Sequence, residues 1–204
     1  MDAHTHSFKE SPHIYVLSPT DLLTSGVRSP FYCAGIHPWH VARGGFERVQ
    51  WWAQQKGCVA IGETGLDRLH PDWELQLSFF KQHWDLAEAV NMPLVVHVVR
   101  SSSDVMQLLK TRKPRTPWLW HDFTGPVEAL ARLLKLHPGL YFSCGLRLLQ
   151  RPNFSEIWAK IPSDRRLLET DDAAVAIEEV YKRAGVTEAE LKLNFQRLFP
   201  QVSV

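Results

Sequence analysis

The sequence predicts an α/β protein built on a largely parallel sheet. Two observations carry that expectation. Eight short β-branched or aromatic runs recur along the 204 residues, and helical apolar patterns fill most of the gaps between the later ones. A composition of 45% hydrophobic and 22% charged residues is that of a globular chain with a sizeable core, not of a disordered one.

Taken in order, the strands are expected near residues 2–6, 13–17, 31–37, 58–64, 93–98, 117–122, 139–145 and 166–171. Helices are expected over 46–56, 73–91, 102–111, 126–136 and 173–184, with a last one near 187–198. The clearest begins at Trp73, where Leu75, Phe79, Phe80, Trp84, Leu86, Ala87 and Val90 form a helical apolar stripe. Pro93 then restarts the chain as a strand. No repeat or low-complexity linker divides the chain, so 1–204 is expected to form one domain. One segment conflicts with this scheme. Only six residues, Ser7 to Pro12, separate the first two strands, whereas a crossover carrying a helix needs at least about 10–12. Either a helix is missing there or a strand is misplaced.

Net charge and cysteines narrow the class. With 23 Lys+Arg against 22 Asp+Glu the formal charge is +1, so no broad field draws the chain to duplex DNA or an anionic membrane. Cys33, Cys58 and Cys144 are odd in number and far apart, which argues against a disulfide framework and for a reducing compartment. No apolar run has membrane-spanning length, and the start Met1-Asp2-Ala3-His4 is not a secretory leader. The expected location is the cytoplasm, with no membrane partner and no obligate protein partner. The basic cluster Lys110 to Arg115 reads as a solvated loop. Most tryptophans (Trp51, Trp52, Trp84, Trp118, Trp120 and Trp158) read as core filling.

Ten histidines are the unusual count. His4 and His6 stand two apart at a strand end, so both project to one face. Four later apolar runs also stop at a residue able to bind metal, giving Glu63, His97, His121 and, in Glu169-Thr170-Asp171, Asp171. Singly, each has an ordinary explanation as a hydrogen-bonded polar group at a strand end. In a closed parallel barrel, however, the C-terminal strand ends converge on one rim. Four imidazoles and two carboxylates buried together without a cation would need partners for every polar atom. Two divalent ions sharing Glu63, of zinc, manganese or magnesium, resolve that cost.

The motifs Asp2-Ala3-His4-Thr5-His6, Gly35-Ile36-His37-Pro38, Gly62-Glu63-Thr64-Gly65-Leu66-Asp67, His97, His121-Asp122-Phe123-Thr124-Gly125, Glu169-Thr170-Asp171 and Asn194-Phe195-Gln196-Arg197-Leu198-Phe199 stand in one order along the whole chain. In that order they resemble the TatD family of metal-dependent hydrolases, relatives of the amidohydrolase superfamily. The resemblance implies a (β/α)8 TIM-like barrel, here compact, with shortened connections in its first third. It implies that His4, His6, Glu63 and Asp171 hold one ion and that Glu63, His97 and His121 hold the other, with Glu63 shared. It also implies hydrolysis of ester bonds, since the family includes nucleases that cut DNA. Three departures bear on substrate contacts. The first connection is compressed, Arg100 falls one residue later than in the family's His-x-Arg pattern, and Asp171 runs into Asp172-Ala173-Ala174 without the family's Pro-rich segment, which opens the rim.

The expected chemistry is activation of water by two divalent ions, with Asp171 receiving the water's proton and Glu63 bridging. His37, Trp39, Asp67 and Arg100 are the candidate substrate contacts. A phosphodiesterase acting on DNA ends or single strands is the leading reading, because a recessed rim disfavours the middle of a rigid duplex. One alternative keeps the ions but hydrolyses a small lactone, amide or phosphoester. A second is an inactive, metal-stabilised interaction protein.

Overall fold

Eight parallel strands pair strictly in chain order: β1 (Asp2–Thr5), β2 (His13–Val16), β3 (Tyr32–Ala34), β4 (Cys58–Asp67), β5 (Leu94–Val99), β6 (Trp118–Trp120), β7 (Leu140–Cys144) and β8 (Arg166–Leu168). The computed structural model describes residues 1–9, 12–24, 26–27, 29–125 and 127–202. The sheet closes through a parallel bridge between Thr5 and Asp171, where the His6 N–H donates to the Asp171 carbonyl at 3.1 Å and the Asp171 N–H to that of His4 at 3.0 Å. This is the barrel that the sequence leads one to expect, and every predicted strand is present.

Helices follow the strands: α1 (Pro19–Leu22), α2 (Phe46–Trp52), α3 (Trp73–Ala89), α4 (Ser102–Thr111), α5 (Val127–Leu136), α6 (Leu146–Leu149), α7 (Phe154–Lys160), α8 (Ile177–Ala184) and α9 (Glu188–Leu198), with a 3-10 helix at Pro38–Arg43. Four of these short pieces, α1, the 3-10 helix, α6 and α7, escape sequence reading because four to seven residues carry too little periodicity. The helix expected from 173 begins only at Ile177, after a turn in which the Ala173 N–H donates to the Thr170 carbonyl. The first residue of the helix expected over 126–136, Pro126, lies outside the described residues.

The conflict between β1 and β2 resolves in favour of the strands. They pair in parallel, with no helix between them among the described residues. Each has only four residues, so the return path is roughly 10 Å, within the reach of six residues at up to about 3.3 Å each. Ser7 to Pro12 includes two residues, 10 and 11, outside those described.

Two buried clusters divide the apolar residues. The larger fills the layer between strands and helices. The smaller takes at least one residue from every strand, including Ala3, Ile14, Cys33, Val59, Val95, Leu119, Tyr141 and Leu167, together with Phe195, Leu198 and Phe199 of or beside α9. That is the packed interior of a barrel, floored at one end by α9. Side chains two positions further along a strand return to the same face. The step from Val95 to His97 and from Leu119 to His121 therefore carries the pattern from packed core to polar rim. Five of the six tryptophans expected in the core are buried, whereas Trp51 is 39% exposed.

Candidate metal centre

Glu63 is the hub of the rim. Along the β4–β5 pair, the three steps of β4 from Ile61 to Thr64 match only two of β5 from Leu94 to Val96, so β4 bulges at Gly62 and Glu63. A bulge re-aims a side chain, and this one puts a 1% exposed carboxylate over the barrel. The bulge depends on glycine. Gly62 has φ +131°, and a Cβ there would stand 2.5 Å from the Val95 carbonyl oxygen.

The two oxygens of Glu63 face different donors. Its Oε2 lies 3.3 Å from Nε2 of His4 and 3.3 Å from Nε2 of His6. Its Oε1 lies 2.8 Å from Nδ1 of His97, 2.7 Å from Nε2 of His121 and 3.2 Å from Nε2 of His37. Asp171 completes the first group, with Oδ1 at 3.7 Å from His4 and 3.5 Å from His6. The structure thus gathers all six residues expected to hold metal. The barrel-closing bridge sets Asp171 beside them, in a left-handed conformation at φ +52°.

Two further carboxylates stand behind the imidazoles. Asp67 Oδ2 is 3.5 Å from Nε2 of His97, and Glu169 Oε1 is 3.6 Å from Nδ1 of His121. A carboxylate behind a ring nitrogen fixes the tautomer and leaves the other nitrogen's lone pair for a cation. Glu169 is itself held by the Asp122 N–H at 2.6 Å.

The donor set fits a divalent ion. Nε2 of His4 and Oε2 of Glu63, 3.3 Å apart, are buried without a hydrogen-bond partner among the described residues, a costly arrangement for polar atoms. A cation seated among the facing lone pairs would remove much of that cost. His4, Glu63 and His121, and likewise His4, His6 and Asp171, offer ligand atoms within 4.8 Å of one another. Nitrogen and oxygen donors of this kind suit zinc or manganese. Burial raises the pKa of Glu63, but His121, His37 and His4 around it outweigh burial and hold its carboxyl well below the usual range. Burial, joined by His121, pushes the His4 imidazole below its ordinary value. Both shifts favour the deprotonated forms that ligate metal.

His37, Glu63 and His97 form a third group with metal-ligand spacing, yet the His37 tautomer argues against ligation. The Trp39 backbone N–H donates to its Nδ1 at 3.2 Å, so a neutral ring carries its proton on Nε2, the nitrogen facing Glu63. His37 presents an N–H to the site, not a lone pair. The segment that carries it is held from behind by His83 of α3, whose Nε2 accepts the Ile36 N–H at 2.9 Å.

Among the candidate substrate contacts, His37 and Trp39 line a cavity of about 710 Å³ that also reaches His6, Glu63, His97, His121 and Asp171. Two expectations need correction. Asp67 is 1% exposed and is engaged by Trp39 Nε1 at 2.7 Å and the Leu69 N–H at 2.8 Å, so it backs His97 instead of meeting substrate. Burial raises its pKa, but the facing His97 imidazole and the hydrogen bonds from Trp39 and Leu69 outweigh it and keep the carboxyl well below the usual range. Arg100 is exposed, at φ +51°, and is absent from the residues lining the cavity. β5 runs on through Val99, and the extra residue carries the arginine past the strand end. The residue sequence reading missed is Arg147 of α6. It lines the cavity and approaches Asp171 Oδ2 at 3.5 Å and Asp122 Oδ2 at 3.1 Å. No motif marks it, because α6 is a four-residue helix.

Known proteins are similar to this chain. The model of the family "TatD related DNase" matches residues 21–191. An uncharacterized metal-dependent hydrolase of Buchnera aphidicola is 30% identical over 69% of this chain and 58% of its own length. The 3'-5' ssDNA/RNA exonuclease TatD of Erwinia tasmaniensis is 31% identical over 76% of this chain and 64% of its own, and the deoxyribonuclease Tat-D of Schizosaccharomyces pombe is 32% identical over 55% and 37%. The chain therefore spans between about a third and two thirds of the length of these relatives. In fold it matches the crystal structure of a TatD homologue of Escherichia coli K12, with a TM-score of 0.77 and 22% identity over 94% of this chain and 86% of that one. With most of its length matched by the family model, the chain belongs to the TatD-related DNase family of metal-dependent hydrolases.

Proposed function

We propose that this chain is a phosphodiesterase of nuclease type that hydrolyses single-stranded DNA or DNA ends at a centre of two divalent ions. The observation that carries the reading is the division of labour at Glu63, whose two oxygens each face a separate set of imidazoles. His4, His6, Glu63 and Asp171 would hold one ion, and Glu63, His97 and His121 would hold the other. Ions bound there would lower the pKa of water and draw charge from a phosphoryl oxygen.

Asp171 stands at the cavity with 9% exposure and takes the proton of the attacking water as general base. Glu63 stays ionised and orients both ligand sets. The Nε2–H of His37 donates to a phosphoryl oxygen, adding a fixed dipole where negative charge grows. Arg147 adds positive charge beside Asp171, while Asp122 holds its guanidinium in place. Trp39 edges the cavity mouth, 53% exposed.

A ligand-sized cavity suits a strand end or a single nucleotide step better than an intact duplex. The names of the fission yeast and Erwinia relatives, a deoxyribonuclease and an ssDNA/RNA exonuclease, support a nucleic-acid substrate. The basic cluster offers no competing phosphate track, since Arg112 pairs with Asp85 and Glu88, and Arg115 with Glu88. Among the described residues no helix is long and apolar enough to cross a membrane. The three free, buried cysteines support a place in the cytoplasm. One observation favours a second reading, hydrolysis of a small ester: Val16, Leu17, Leu22 and Ile36 give the same cavity an apolar wall.

Metal analysis coupled to hydrolysis assays separates the readings. The purified chain is expected to hold two ions and to cleave labelled single-stranded DNA, to lose that activity to a chelator, and to regain it with zinc or manganese. Turnover confined to a panel of small esters favours the second reading. No restored activity on any substrate leaves the inactive, metal-stabilised interaction protein.

A further inference from the structure

We infer that Trp39 and Asp67 form a positioning chain behind His97, in which the indole N–H holds the carboxylate and the carboxylate holds the imidazole with Nδ1 turned toward Glu63. This rests on the two-metal reading above, because it gives a role to residues behind one of the proposed ligands.

Asp67 is held from several directions. Its Oδ1 accepts the Leu69 N–H at 2.8 Å, and its Oδ2 accepts the Trp39 indole N–H at 2.7 Å. Its backbone is clamped by the buried Gln76 of α3, which accepts the Asp67 N–H at 2.8 Å and donates to the Asp67 carbonyl at 3.1 Å. The carboxylate is therefore a fixed object and not a mobile surface charge. Nε2 of His97 has no hydrogen-bond partner of its own and faces the same Oδ2 at 3.5 Å. A proton on Nε2, directed at Asp67, leaves the Nδ1 lone pair free on the side where Glu63 Oε1 lies at 2.8 Å and His121 Nε2 at 3.1 Å. A carboxylate so placed also makes the ring a stronger ligand.

Trp39 is the unusual member, since an exposed tryptophan at a nuclease rim invites a base-stacking role. Its surroundings point elsewhere. The indole is stacked on His70 at 4.6 Å with 22° between the planes, and it meets His37 edge-on at 4.8 Å. One face is already covered, and the N–H is committed to Asp67. Trp39 is thus a positioning residue acting on His97 through a carboxylate.

The test measures metal affinity, which a stacking residue would not alter. Trp39→Phe keeps the ring and its contact with His70 but removes the N–H, and Asp67→Asn keeps the shape but removes the carboxylate. In competition with a chromophoric chelator, each variant is expected to release one of its two zinc ions about 10- to 100-fold more readily than wild type. The other ion is expected to be held as before. The cobalt-substituted protein should show a changed visible spectrum, and KM for single-stranded DNA at saturating metal should not rise. Trp39→Phe alters a half-exposed residue, and an unchanged thermal melt of the metal-free protein will show that it folds. Wild-type affinity for both ions in both variants overturns the inference, as does intact affinity in Trp39→Phe with a raised KM in Trp39→Leu, the pattern of a stacking platform. A wild-type protein holding fewer than two ions overturns the two-metal reading itself, a failure visible before any variant is made.

Discussion

Oε1 of Glu63 lies 2.7 Å from Nε2 of His121, while the other oxygen of the same carboxylate lies 3.3 Å from Nε2 of His4. One buried side chain thereby joins the two halves of the rim, which makes it the first residue to test. Glu63→Gln keeps the shape but loses the charge shared between the halves. It is expected to retain at most one ion by elemental analysis. Turnover should fall by more than about 100-fold, beyond the loss of an outer-sphere partner alone.

Asp171→Asn separates ligation from proton transfer. If Asp171 is the general base, turnover should drop about 100- to 10,000-fold at metal concentrations that restore full occupancy. A variant that keeps both ions and nearly full turnover refutes the base role and leaves Asp171 as a ligand only.

His83 predicts a pH effect on stability far from any proton transfer. Fully buried, with Nδ1 donating to the Phe79 carbonyl at 2.7 Å and Nε2 accepting from Ile36, it is a neutral imidazole. Burial pushes its pKa down to about 4. Between that value and the unfolded value of about 6.5 the unfolded chain binds the extra proton, so stability rises with pH across this window. The contribution is complete above about pH 6.5 and lost as pH falls toward 4, a span of order 3 kcal/mol at about 1.36 kcal/mol per pKa unit. His137, also lowered to about 4 by burial and then by Lys113, acts in the same direction. Urea midpoints of the metal-free protein should climb from pH 4 to 6.5, and His83→Gln should flatten the slope. An unchanged slope in that variant would assign the dependence elsewhere.

Glu88 ties down the basic cluster. It accepts from Trp84 Nε1 at 2.7 Å, Arg112 Nη2 at 2.7 Å, the Arg115 N–H at 3.0 Å and Arg115 Nε at 2.9 Å. Glu88→Ala should destabilise the fold by about 2 kcal/mol by leaving the Trp84 N–H and Arg115 unpaired and Arg112 with Asp85 alone. Turnover on single-stranded DNA should not change, because the cluster is absent from the cavity lining. A selective rise in KM would instead make this cluster a phosphate contact.

Much of this molecule is readable along the chain. Val95-Val96-His97 and Leu119-Trp120-His121 announce strands that end in a residue able to bind metal, because β-branched and aromatic runs and the two-residue period are local properties. The same alternation that buries Val95 and Leu119 aims His97 and His121 at the rim. Short segments are less legible. The helices at Pro19–Leu22 and Leu146–Leu149 are single turns held by tertiary contacts, and Arg147 enters the cavity on one of them. The bulge that turns Glu63 inward appears only when β4 is laid against β5.

What the sequence determined by itself is which residues stand at the strand ends and what order of strands and longer helices carries them. Only the tertiary structure decided what each polar side chain faces. It moved Asp67 from substrate contact to the support of His97, took Arg100 off the cavity, gave His37 an N–H to offer, and revealed His83 behind Ile36. The physical reason is range. Strand propensity and side-chain alternation act between neighbours, whereas a buried proton is placed by partners that lie tens of residues away, as Trp39 lies from Asp67 and His83 from Ile36.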